Sequence, residues 1–171
     1  MLTKRVFLAL GSNLGDRERN LQGVVELLQA QSISIKSCSS LYETEPQDVN
    51  DQPWFLNMAI ECETSFFPLQ LLTILQQIER SLGRTWTGSV PRGPRLIDID
   101  ILLFGKTRLT TPELTIPHPR MLRRRFVLEP LLEIAPDVRY PGTGERLSKR
   151  LAGLRGQTVK RIGLLAACSG K

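Results

Sequence analysis

Leu96-Ile97-Asp98-Ile99-Asp100-Ile101-Leu102-Leu103-Phe104, an apolar run carrying two acids, is the stretch on which the fold reading turns. It follows directly on Arg92-Gly93-Pro94-Arg95 and is closed by Gly105-Lys106. β-Branched and aromatic residues between Gly/Pro punctuation predict a strand, and side chains along a strand alternate faces. Asp98 and Asp100 therefore share a face, their carboxylates starting ~6–7 Å apart at a rise of ~3.3 Å per residue. Leu96, Leu102 and Phe104 fall on the side of the acids, and Ile97, Ile99, Ile101 and Leu103 on the other. Like charges this close need a cation between them. Mg²⁺, which takes a few carboxylate oxygens plus water and phosphates, suits the acids, and the upstream arginines suit the same phosphates. An antiparallel strand with one wet face would show the same alternation. The large apolar neighbours, however, imply partial burial, which is costly for acids without partners.

Working outward, 171 residues with 41% hydrophobic content are enough for one compact domain, expected over 1–171, with a real core. No stretch approaches the ~20 apolar residues needed to cross a bilayer. Val6-Phe7-Leu8-Ala9-Leu10 is too short for a signal sequence and reads as a first strand. Cys38, Cys62 and Cys168 are odd in number and never form a CxxC pair, so neither a zinc site nor a disulfide framework is indicated. A reducing cytoplasm is the expected compartment. With His118 the only histidine, a metal site must rest on oxygen ligands. The net charge of +6 favours an anionic partner. Arg84, Arg92 and Arg95 precede the acidic strand, and Arg120, Arg123, Arg124 and Arg125 form a second cluster after His118; the two could converge on one pocket.

The first strand runs into Gly11-Ser12-Asn13-Leu14-Gly15-Asp16 and then a helical stripe of Leu21, Val24, Val25 and Leu28. This glycine loop lacks the Lys-Ser/Thr ending of a P-loop, so a tight turn with a helix cap is favoured over a phosphate cradle. Residues 33–44 read as a second strand leading to a polar loop, 45–53. Residues 55–64 alternate, with Leu56, Met58, Ile60 and Cys62 toward the core and Phe55, Asn57, Ala59 and Glu61 away. Phe55 and Asn57 thus project together, able to sandwich and hydrogen-bond a flat heteroaromatic ring, or simply to pack an edge and meet solvent. A second helix starts near Pro68, carries Leu71, Leu72, Leu75, Ile78 and Leu82 on one stripe and stops at Gly83. Gln76 and Glu79 lie off that stripe and are expected to point elsewhere together. Residues 84–95 read either as a mobile basic loop able to close over an anion or as a merely solvated loop. A further helix is expected around 121–134, with Pro130 limiting its regularity. The order β, α, β, β, α, β is the ferredoxin-like plan, an α+β fold whose antiparallel sheet carries helices on one face, here with additional C-terminal elements.

Ala9-Leu10-Gly11-Ser12-Asn13-Leu14-Gly15-Asp16, Gly93-Pro94-Arg95 with the acidic strand through Gly105, and Ile116-Pro117-His118-Pro119-Arg120-Met121 followed by Phe126-Val127-Leu128-Glu129-Pro130-Leu131 strongly resemble the 6-hydroxymethyl-7,8-dihydropterin pyrophosphokinases of folate biosynthesis. The resemblance spans roughly residues 5 to 140. It implies a transferase that moves pyrophosphate from ATP to the hydroxymethyl oxygen of the pterin and releases AMP. By matching position it makes Asp98 and Asp100 ligands of two Mg²⁺ ions, a two-metal arrangement. Arg84 and Arg95 would neutralise the phosphates, with His118 and Arg124 contacting them from the second basic segment. Gln76 and Glu79 would lie toward the ATP ribose, and Ile101 and Thr115 would hold the nucleoside. Thr44, Phe55, Asn57 and Phe126 would bind the pterin. The family usually has an aromatic residue, often Trp, before Gly-Pro-Arg; this chain has Pro91-Arg92, which leaves Trp86 or the planar guanidinium of Arg92 to cover the ring. The resemblance also implies small-molecule partners only, with no nucleic acid or membrane, and a monomer is expected.

Two other classes share some of these features. A ferredoxin-like sheet with basic charge suits RNA recognition, which paired acids on the sheet oppose. A two-metal nucleotidyltransferase would share the acids but release pyrophosphate rather than AMP.

Overall fold

A computed structural model describes residues 2–47, 51–83 and 94–168. The elements in chain order are β1 (Lys4–Ser12), α1 (Arg17–Ala30), β2 (Ser34–Cys38), β3 (Leu41–Thr44), β4 (Phe55–Thr64), α2 (Pro68–Ser81), β5 (Asp98–Phe104), β6 (Leu109–Thr110), β7 (Thr115–Ile116), α3 (Arg125–Ile134), α4 (Ser148–Leu151) and β8 (Val159–Gly163). The helix starts follow their local chemistry. The Asp16 carboxylate accepts the Arg19 amide at 3.0 Å and caps α1. Pro68 opens α2, and Gln70 accepts the Phe67 amide at 2.9 Å. Gly83, at φ +96°, takes the chain out of α2 in a conformation that disfavours other residues.

The main sheet is antiparallel in the order β5-β1-β4-β3-β8, with β2 also paired to β4. Residues expected as one strand, 33–44, are two. At the break, the Ser39 hydroxyl accepts the Ala59 amide at 2.9 Å, replacing a ladder bond, while the Ser40 amide and hydroxyl bond Glu133 instead. β2 and β3 thus occupy successive halves of one strand position beside β4, so the core keeps the expected ferredoxin-like plan. The C-terminal β8 extends the sheet beyond β3.

Helices cover both faces rather than one. Leu21, Val24, Val25 and Leu28 of α1 and Leu71, Leu75 and Ile78 of α2 pack with Val6, Leu8, Leu10, Met58 and Ile60. Val127, Leu128 and Leu131 of α3 pack with Phe7, Ala59 and Leu103 on the opposite side. The β4 alternation is therefore right in register, but its "outer" face is also covered. β5 departs from simple alternation. The pairing moves from Phe7↔Leu103 to Leu8↔Ile101, making Leu102 the extra residue of a bulge. In consequence Leu102 and Leu103 both pack toward α3, and Phe104 joins the α1/α2 side. The bulge lies just after the two acids and leaves their shared face intact.

Cys38 and Cys168, with Cα atoms 6.0 Å apart, form a disulfide that cysteine spacing did not indicate. The partners lie 130 residues apart, a separation with no pattern to read. No helix among the described residues is long and apolar enough to cross a membrane.

Candidate active site

The antiparallel register builds the site rung by rung, because directly opposed residues point to the same face. Asp98 of β5 lies opposite Gly11 of β1, which lies opposite Asn57 of β4, which lies opposite Tyr42 of β3. One rung on, Asp100 faces Ala9, and Ala9 faces Ala59. Small residues on β1 thus leave an open floor between the acids and Asn57. A Cβ at Gly11 would come within 2.7 Å of Asn57 Oδ1. Above this floor is a cavity of about 280 Å³. Thr44, Phe55, Asn57 and Phe126 line it together with Arg95, Asp98, Asp100, Arg120 and Arg124. Gln47 and Gln52, from the loop after β3, complete one wall.

On the Asn57 side the polar groups are locked. Thr44 is 1% and Asn57 7% exposed, and Asn57 Nδ2 donates to Thr44 Oγ1 at 2.6 Å. That bond orients the carboxamide, leaves its oxygen beside Gly11 and leaves the Thr44 hydroxyl hydrogen able to donate elsewhere. The Arg124 guanidinium stands 5.4 Å from the Phe126 ring centre, in cation–π contact.

On the acid side Arg95 Nη1 contacts Asp98 Oδ2 at 3.0 Å. Burial, then the neighbouring Asp98 charge, pushes the Asp100 carboxyl up to about 7, against the opposing pull of Arg124. His118 Nε2 lies 3.8 Å from Asp100 Oδ2, beyond hydrogen-bond reach. Its Nδ1 accepts the Arg120 amide at 3.2 Å, which places the proton of the neutral ring on Nε2. Burial, then Arg124 and Arg120, lowers His118 to about 4, so the ring is neutral at physiological pH. Its backbone amide donates to Leu102 O at 2.9 Å, fixing the segment to β5. The two carboxylates fit a magnesium ion: they share a face, repel one another, and are joined among the described residues by no cluster of three or more His, Cys, Asp or Glu able to hold a metal alone. Mg²⁺ characteristically takes one or two carboxylates and fills its remaining positions with water and phosphate.

The residues assigned to the nucleoside do not line this cavity. Gln76 is exposed, whereas Glu79 is 6% exposed and accepts the Ile99 amide at 2.8 Å on the outer edge of β5. The two therefore do not point the same way, since Glu79 is drawn inward by an unpaired strand amide. Ile101 is buried on the α1/α2 side, and Thr115 is half-buried on β7. Arg84, Trp86 and Arg92 lie outside the described residues.

Sequence reasoning missed Asn13, which is 2% exposed. Its Nδ2 donates to Gln52 Oε1 and Pro53 O, both at 3.0 Å, and it exchanges two hydrogen bonds with Arg95. Asn20 Nδ2 likewise reaches Ser12 Oγ, Leu14 O and Leu96 O. The glycine loop thus acts as a clamp between segments, and its only sequence signal was an asparagine inside a turn followed by another in the helix.

Paired carboxylates beside arginines, one strand from an aromatic and amide pocket, define a transferase for phosphorylated substrates built on an α+β sheet. The profile of the family 7,8-dihydro-6-hydroxymethylpterin-pyrophosphokinase (HPPK) matches residues 7–136, and the chain belongs to that family. It is 46% identical over 156 residues to the 2-amino-4-hydroxy-6-hydroxymethyldihydropteridine pyrophosphokinase of Bacillus subtilis, covering 86% of this chain and 92% of that one. The protein of the same name from Pseudomonas aeruginosa is 38% identical over 162 residues, covering 94% and 98%. The folic acid synthesis protein fol1 of Pneumocystis carinii is 43% identical over 157 residues, but the chain spans only 21% of its length. A Plasmodium falciparum HPPK-DHPS crystal structure superposes with a TM-score of 0.70 at 17% identity, over 89% of this chain and 45% of that one, a likeness of fold.

Proposed function

We propose that the cavity seats the pterin between Phe55 and Phe126 and presents its hydroxymethyl group to the polyphosphate held at Asp98, Asp100, Arg95, Arg124 and His118. The chain is an ATP-dependent pyrophosphokinase of folate biosynthesis: pyrophosphate passes from ATP to the hydroxymethyl oxygen of 6-hydroxymethyl-7,8-dihydropterin, and AMP leaves. The observation that carries the assignment of residues is the rung Asp98–Gly11–Asn57. At ~4.8 Å between neighbouring strands it sets the acids about 10 Å from the ring-reading amide, with nothing but a glycine between.

Each group then has a task. The Asn57 carboxamide and Thr44 hydroxyl read the hydrogen-bonding edge of the ring, already oriented by their mutual bond. Arg95 and Arg124 neutralise charge on the transferring group, and neutral His118 offers its Nε2 proton to a phosphate oxygen. Asp98 and Asp100 would hold magnesium, as two ions, which neutralise the phosphates and the entering and leaving oxygens. Arg84 belongs to the same reading as a further phosphate contact. Gln76, Glu79, Ile101 and Thr115 are assigned to the nucleoside by the family resemblance, off this cavity, with Glu79 at the β5 edge where it bonds Ile99. A cytoplasmic monomer is the state this reading expects.

Incubation with ATP, Mg²⁺ and the hydroxymethyl pterin should release AMP. Asp98→Ala should reduce that release by at least about 10²-fold, the scale of losing metal-borne charge stabilisation. Full turnover by Asp98→Ala would sink the site assignment.

A further inference from the structure

Four arginines stand between residues 120 and 125, and the structure separates them. Arg123 is exposed. Arg125 is committed elsewhere: its Nε donates to Glu129 Oε2 at 2.8 Å and its Nη1 to Gln157 O at 3.0 Å. Arg120 and Arg124 remain on the cavity wall. Arg124 is the family-matched phosphate contact, whereas nothing above gives Arg120 a ligand.

Arg120 has a fixed backbone and a side chain with one unanswered nitrogen. Its amide donates to His118 Nδ1 and its carbonyl accepts the Arg123 amide at 3.1 Å, so the chain leaves little freedom at its Cα. Its Nη1 is buried and, among the described residues, has no hydrogen-bond partner. A guanidinium nitrogen removed from water without an acceptor is costly, and the same side chain lines the cavity, so an anion entering there meets a cation with a donor to spare.

Which anion follows from the walls. The cavity that Arg120 lines contains the Asn57 pocket and the two acids, but none of Gln76, Ile101 or Thr115. On the function proposed above, the end of the polyphosphate bonded to the pterin oxygen after transfer would lie here, and the α-phosphate that departs in AMP would lie beyond it. We propose that Arg120 binds the transferred diphosphate and keeps hold of it in the pterin diphosphate product. The inference rests on the function proposed above and adds a product-retaining cation to it. A planar guanidinium offering two parallel N–H groups suits a diphosphate better than an ammonium does.

The test is equilibrium titration of wild type, Arg120→Met and Arg120→Lys with three probes: 6-hydroxymethyl-7,8-dihydropterin, its diphosphate, and AMP. Arg120→Met should bind the diphosphate about 10- to 100-fold more weakly, the scale of one or two charge-assisted bonds. It should bind the pterin alcohol and AMP within about twofold of wild type, with Arg120→Lys falling between. Undiminished affinity of Arg120→Met for the diphosphate overturns the proposal. So does an equal loss for the alcohol, which would make Arg120 structural. A wild type that binds neither pterin ligand would instead overturn the function itself, so the two failures are distinguishable.

Discussion

Asn13 and Arg95, 82 residues apart, exchange two hydrogen bonds: the Asn13 amide donates to the Arg95 carbonyl at 3.2 Å, and the Arg95 amide donates to Asn13 Oδ1 at 2.8 Å. The same side chain holds Gln52 and Pro53, so one buried carboxamide fixes the end of β1, the approach to β5 and the loop that walls the cavity. Arg95 in turn sits on Asp98. Asn13→Ala should cost about 1–3 kcal/mol of stability by leaving buried groups unpaired. It should lower kcat/KM by up to about 10²-fold, the penalty for a misplacement near 1 Å. Steady-state kinetics beside denaturant unfolding checks both. Unchanged kcat/KM in a destabilised variant would show that the clamp serves folding alone.

Gly11 is the second lever, since it is the floor between acids and amide. Gly11→Ala drives a methyl to within 2.7 Å of Asn57 Oδ1, and Asn57 cannot retreat without giving up Thr44. The expected result is a pterin KM raised about 10-fold or more, with the ATP KM nearly unaltered. An unchanged pterin KM would mean that Asn57 does not read the ring.

Most of what positions these residues was legible, and the misses share one cause. β1, β4, β5, α1 and α2 each carry their signal locally: alternation for strands, a three-to-four spacing for helices, and Asp16 or Pro68 at the start. The shared faces of Asp98 with Asp100 and of Phe55 with Asn57 follow from that alternation. Ser39 ends a strand because its hydroxyl meets Ala59, Leu102 bulges because Phe7 and Leu8 of β1 pair with the residues on either side of it, and Cys38 finds Cys168. None of those partners leaves a period in the sequence. Asn13 looked like a turn residue for the same reason, and Arg120 looked like one of four equal charges until their neighbours were placed.

Asp100 gives a pH signature with a definite sign. Its folded-state carboxyl is raised from 3.8 to about 7, so its stabilising contribution is fully present below pH 4 and is lost as pH rises through 7. Asp100→Asn imitates the neutral form. It should unfold like wild type near pH 4 but at a temperature roughly 2–4 °C higher at pH 8, the shift for about 1 kcal/mol in a chain of this size. The figure is modest because the side chain is 36% exposed. Mg²⁺ with ATP should erase the gap by stabilising wild type alone, while the variant loses turnover. Thermal scans at the two pH values, with and without Mg²⁺ and ATP, decide it; a gap independent of pH would sink the assignment.

Glu133, near the end of α3, ties that helix to the sheet two residues from Thr44. One oxygen accepts the Ser40 amide at 3.0 Å and the Ser40 hydroxyl at 2.8 Å, and the other accepts the Tyr42 hydroxyl. Burial raises its carboxyl, but the Tyr42 and Ser40 bonds outweigh that and hold it below the usual range. The ionised group therefore stabilises the fold above its unfolded value of 4.5, and that contribution is lost as pH falls through the lowered folded value. Tyr42→Phe strands one carboxylate oxygen and should cost about 1–3 kcal/mol at pH 7. Glu133→Gln keeps the shape, gives up the charge-assisted bonds and should flatten the acid limb of the stability profile. The two residues share one bond, so the double variant should lose about 1 kcal/mol less than the sum of the singles. Phe126 rides on the same helix, and the pterin Kd should rise in each variant while the ATP Kd stays put. Unfolding free energies for the four proteins, measured from pH 4 to 8, separate these outcomes: additive losses would show that Glu133 and Tyr42 act independently, and an unchanged pterin Kd would show that α3 holds its place without them.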